Sequence, residues 1–182
     1  VPFFHWDFLF YGGIMYSYMN KFPHNFLWGS ATSSHQVEGQ NIYNDWWLAE
    51  QNHSLKEASG EACRHYELYA QDFALAKQLS HNCHRFSIEW SRIEPLEGKF
   101  DAAAIEHYRR VIIDLKNRGL EPIVTLHHFT NPVWFSQKGG WTRRNLQKYF
   151  LRFVDRIVGE FASEVKFWIT INEPLIYSSH AY

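Results

Sequence analysis

The sequence predicts an α/β fold built from parallel βα units, and three observations carry that expectation. Strand-like and helix-like segments alternate from Lys21 to the end of the 182-residue chain, the pattern of a parallel sheet with crossover helices. The strand-like segments are near-continuous apolar runs, as expected where both faces of a sheet are covered. The first of them ends in Gly-Ser-Ala-Thr-Ser-Ser, without the GxGxxG turn of a nucleotide-binding open sheet. That absence favours a (β/α)8 barrel over a doubly wound sheet.

The elements follow in order. FLWGSATSS (26–34) reads as a short buried strand ending in small residues. Residues 65–80 place Tyr66, Tyr69, Ala70, Phe73 and Ala76 on one helical face. HRFSIEW (84–90) alternates as a strand. Residues 101–118 form a second helix, with Asp101 as cap, Ile105, Tyr108, Ile112 and Leu115 on one face, and Gly119 as the stop. EPIVTLHHF (121–129) is a third strand. Residues 143–162 give a third helix with Leu146, Phe150, Phe153, Ile157 and Phe161 inward, and VKFWITIN (165–172) is the fourth strand. A full barrel has eight strands and about 250 residues. Residues 21–182 therefore cover about the first four βα units, an incomplete barrel. Its first and fourth strands are expected to be unpaired edges, open to self-association.

Residues 1–20 stand apart as an aromatic-rich extension, with eight aromatic side chains and no Lys or Arg. They lack the basic start and cleavage site of a secretory signal. Asp7 and Gly12-Gly13 leave the apolar run too short to span a bilayer. Met15 and Met19 are candidate starts.

The formal net charge of −1 gives no attraction for a nucleic acid or an anionic membrane. Aromatic residues make up 18% of the chain, a supply of faces that stack on sugar rings as well as on bases. With no basic excess, the sugar is the better partner. The two cysteines, Cys63 and Cys83, form no disulfide framework and suit a reducing, cytoplasmic setting as buried thiols. Neither has zinc-type spacing with a neighbouring His, so no metal is expected.

KFWITINEP (166–174) poses the functional question: an apolar strand stops at an amide, a carboxyl and a proline. In a barrel, polar residues at the strand C-termini converge on one mouth. Those ends supply Gln36, Arg85 with Glu89, His127-His128 and Asn172-Glu173, with Trp28, Trp90, Phe129 and Trp134 nearby. A carboxyl, an amide, an imidazole and a guanidinium among aromatics suit a neutral, hydroxyl-rich ligand better than a phosphate. Trp46-Trp47 and Trp141 read as packing residues.

FLWGSATSSHQVEG, HRFSIEWSRI, TLHHFTNPVWF and TINEP, in this order, resemble the signature segments of the family 1 glycoside hydrolases, the retaining β-glucosidase family. The resemblance runs from about Lys21 to Tyr182. It implies hydrolysis of β-glycosides without a cofactor. It implies Glu173 as the acid/base carboxyl and Arg85 as the arginine beside the nucleophile. Gln36, His128 and Asn172 match positions that hydrogen-bond the glycone hydroxyls, with His127 structural. Trp90 and Phe129 match site-wall positions, Phe129 standing where many relatives carry Trp.

A retaining enzyme needs a second carboxylate about 5 to 5.5 Å from the first. In the family it lies in a later segment resembling ITENG, and no such segment occurs here. Glu38, Glu89 and Glu94 have no counterpart role as nucleophiles. The expectation is the N-terminal, acid/base half of a β-glycosidase. The rival is a truncated, non-catalytic half barrel that binds sugar weakly or only assembles.

Overall fold

The computed structural model describes residues 22–52, 54 and 57–180. The extension at 1–20 lies outside them. Four parallel strands form one sheet in the order β1-β2-β3-β4: β1 (Gly29–Ala31), β2 (Cys83–Ser87), β3 (Glu121–His127) and β4 (Phe167–Ile171). Each strand pairs with the next in sequence, through Ala31 with Arg85, Arg85 with Ile123, and Thr125 with Ile169. Sequential parallel pairing of this kind is how a (β/α)8 barrel begins.

The helices are α1 (Ser34–Val37), α2 (Asp45–Gln51), α3 (His65–Gln78), α4 (Trp90–Ile93), α5 (Ala102–Asn117), α6 (Val133–Gln137), α7 (Gln147–Phe161) and α8 (Pro174–His180). The three long ones, α3, α5 and α7, are those the apolar periodicity predicts. Asp101 caps α5, its Oδ1 accepting from the Ala103 and Ala104 amides at 2.7 and 3.1 Å. Such a cap satisfies amides that have no partner inside the helix. Ile105, Tyr108, Ile112 and Leu115 of α5 are buried, as are Leu146, Phe150, Phe153, Ile157 and Phe161 at and along α7.

These helical faces meet one side of the sheet. Phe86, Val124 and Leu126 join them in a single apolar cluster. Side chains alternate along a strand, so Arg85, Ser87 and Thr125 lie on the opposite face, the inner side of the curve.

Three expectations need correction. The first strand is shorter than 26–34 and exposed at all three residues, because it is a sheet edge with no neighbour on its outer side among the described residues. Strand β2 ends at Ser87 instead of running to Trp90. There Glu89 caps α4, accepting from the Ser91 amide at 3.3 Å, and the chain turns away. Cys63 is exposed; only Cys83 is buried.

Candidate active site

The predicted residues gather at the C-terminal ends of the strands, and Arg85 organises them. Its Nε donates to Thr125 Oγ1 at 2.9 Å and its Nη2 donates to Asn172 Oδ1 at 2.5 Å. One guanidinium thus ties β2 to β3 and to the residue after β4. The Arg85 contact also orients the Asn172 amide, turning Nδ2 toward His128 Nε2 at 3.4 Å. The Asn172 amide N–H donates to the His127 carbonyl at 2.9 Å, which extends the ladder by one rung.

Burial holds the His128 imidazole neutral. Desolvation, then the nearby Arg85 charge, brings its pKa down to about 4. With Nε2 facing Asn172, Nδ1 is buried without a partner among the described residues. His127 is also pushed down to about 4 by burial, partly opposed by its hydrogen bond to Asn131. Its Nε2 lies 3.0 Å from Asn131 Oδ1, the kind of internal bond a structural histidine makes.

Glu173 is exposed and follows Asn172 directly. Its φ of 43° lies in the left-handed region, which costs a non-glycine residue roughly 1–2 kcal/mol. Phe129 is also left-handed, at 71°. Strain of this kind persists only where surroundings enforce it, and it concentrates at functional sites. Burial depresses the Arg85 pKa while the Glu173 charge supports it, so the two groups share one electrostatic environment.

Two predicted residues sit differently. Gln36 is exposed on α1, its Oε1 accepting from Ser33 Oγ at 2.7 Å, apart from the Arg85 group. Trp90 is 1% exposed. Its indole N–H donates to Glu94 at 3.0 Å, and its ring packs between Phe135, Phe150 and Phe153. The α4 turn carries it into the helical layer, so it is core rather than site wall.

Other residues were missed. Trp46, read as packing, is 41% exposed and roughly parallel to Phe129 at 6.2 Å. Phe129 in turn stacks on Tyr177 at 5.9 Å. These rings line a cavity of about 680 Å³ with Asp45, Ile176 and His180. The cavity touches Phe129 but none of Arg85, His128, Asn172 and Glu173, whose face of the sheet is open. Thr125, facing Arg85, was legible in principle from the alternation of β3. Among the described residues no group of three or more His, Cys, Asp or Glu could hold a metal ion, and no helix is long and apolar enough to cross a membrane.

Residues 18–182 match the model of glycosyl hydrolase family 1. The chain belongs to this family. Among family 1 structures it is similar to a β-glycosidase from Pyrococcus horikoshii, at 48% identity and a TM-score of 0.85, over 89% of this chain and 38% of that one. It is also similar to the Thermotoga maritima β-glucosidase solved in complex with castanospermine, at 32% identity and a TM-score of 0.83, over 87% of this chain and 38% of the other. β-Glucosidase A of T. maritima is 33% identical over 175 residues, 90% of this chain and 39% of its own length. The chain thus spans about two fifths of these family 1 relatives, and its four-stranded sheet is an incomplete (β/α)8 barrel.

Proposed function

We propose that the protein to which this chain belongs hydrolyses β-glucosides or related β-glycosides by the retaining double-displacement route. Glu173 is the general acid/base. It protonates the glycosidic oxygen as the bond breaks, and later takes a proton from the water that releases the sugar. The nucleophilic carboxylate comes from sequence beyond residue 182 and forms the glycosyl-enzyme bond in between. Arg85 flanks that carboxylate. Asn172, His128 and Gln36 bind glycone hydroxyls, with Phe129 in the site wall. Asn172 suits the 2-hydroxyl, whose hydrogen bond strengthens as the ring gains oxocarbenium character. The reaction needs no cofactor. The cytoplasm suits a protein with two unpaired thiols.

The observation that carries this reading is the chain Arg85–Asn172–His128, whose central residue directly precedes Glu173 with its left-handed backbone. The β-glucosidase names of the relatives point the same way.

The test is release of 4-nitrophenol from an aryl β-glucoside. The 182-residue chain should give no more than its Glu173→Gln variant, because it lacks the nucleophile. The chain continued to the segment carrying the second carboxylate should turn over, and Glu173→Gln should then lower kcat by about 10²- to 10⁴-fold. Turnover indifferent to Glu173→Gln would overturn the assignment. The rival is a truncated, non-catalytic half barrel that binds sugar weakly or only assembles. It predicts no turnover in either form and at most sugar-induced quenching of tryptophan fluorescence.

A further inference from the structure

Helix α8 follows Glu173 directly, yet none of its residues is buried. Leu175 is 82% exposed and Ile176 49%. Cavities of about 680 and 310 Å³ adjoin it, and Tyr177 lines both. A helix of seven residues has little stability of its own. Something else must hold it, because its first turn fixes the left-handed Glu173 backbone: the Tyr177 amide donates to the Glu173 carbonyl at 2.9 Å.

The Tyr177 side chain reaches back into the strand ends. Its hydroxyl accepts from Asn131 Nδ2 at 2.8 Å. Its ring stacks on Phe129 at an interplanar angle of 10° and meets the edge of His127 at 5.1 Å. Asn131 is 2% exposed and is itself well anchored. Its Oδ1 accepts from His127 Nε2 and Trp141 Nε1, and its Nδ2 also donates to Asp45 Oδ2. The peg therefore ends in a hub that joins β3, α2 and the 3-10 turn at Gly140–Thr142.

We infer that Tyr177 is a positioning residue, pegging α8 to Asn131 and Phe129 so that the carboxyl of Glu173 is held beside Asn172 and the sugar-binding face. The catalytic meaning of this peg rests on the acid/base reading of Glu173; the peg itself does not.

Two variants of the 182-residue chain test it by amide hydrogen exchange and NMR. Tyr177→Phe keeps the ring and removes the hydroxyl. It should speed exchange of the residue 177 amide about tenfold and shift the Asn172 and Glu173 signals, including a ¹³C-labelled Glu173 carboxyl, while Val124 in β3 keeps its rate. Tyr177→Ala should speed the same amide about a hundredfold. If the alanine variant fails to fold, the phenylalanine variant decides. Unchanged exchange and unchanged Glu173 signals would overturn the inference, and so would equal acceleration at Val124, which would mean general destabilisation. The expected pattern in a protein that fails the glucoside assay would keep the peg and remove the acid/base role.

Discussion

Arg85 shows how much of the site one side chain holds. Its two hydrogen bonds satisfy Thr125, which is fully buried, and orient Asn172, which is 7% exposed. Arg85→Met would keep the stem and remove both donors. It should destabilise the chain by about 1–3 kcal/mol in urea unfolding, the cost of leaving buried polar groups unpaired, and free the Asn172 amide to flip. A midpoint within error of the parent would show that water replaces the guanidinium at no cost. This group was legible because polar residues at the ends of apolar strands have few structural reasons to be there. Trp90 is buried for a local reason: β2 ends at Ser87 and Glu89 caps a helical turn inside the segment that the strand pattern extends to residue 90. Trp46 and Tyr177 were not legible as site neighbours. Their places depend on contacts between residues far apart in sequence, such as Asp45 with Asn131 and Asn131 with Tyr177, which no periodicity records.

At the scale of elements, the long helices and central strands could be read because each buries one continuous face. The short helices could not. Pro174 reads as a stop after a strand, yet proline is favoured in the first turn of a helix, and here it begins α8. Strands β2 and β3 carry a further consequence. His84 and His127 lie on them, His128 follows β3, and His107 lies on α5. Burial is the main cause that lowers each to about 4. Unfolded, each would titrate near 6.5. The unfolded chain therefore binds more protons between those values, and stability contributed by the neutral rings is lost as pH falls from about 6.5 toward 4. Glu38 acts in the opposite sense: burial raises it to about 7, so its contribution improves as pH falls from 7 toward 4.5. Burial raises Asp45 as well, in the same sense as Glu38, and four histidines against two carboxyls should still give a net loss. Thermal melts between pH 7 and pH 4 should show the midpoint falling from about pH 6.5, above the range in which exposed carboxylates protonate. A flat midpoint down to pH 4.5 would mean that the rings become solvated before the fold is lost.

For the molecule as a whole, the sheet is sound inside and unfinished outside. Strands β2 and β3 pair on both sides, whereas β1 and β4 each have one free edge among the described residues. The exposures along β4 and its flank agree with this, with Phe167 46% exposed and Thr170 open to solvent. Trp28, beside β1, is 49% exposed and clusters with Phe22 and Phe26 at 4.7 and 4.6 Å. A free parallel edge flanked by large apolar side chains is a template for another strand. In a complete barrel the next four strands would cover both edges. Among the described residues nothing does so, which leaves both edges to other copies. Size-exclusion chromatography over a range of concentrations should therefore show a shift from monomer to larger species as concentration rises. Thr170→Lys, a charge at an exposed position of the β4 edge, should oppose that shift, since edge lysines disfavour strand addition. A compact monomer that melts cooperatively at every concentration would overturn this and show instead that the half barrel shields its own edges.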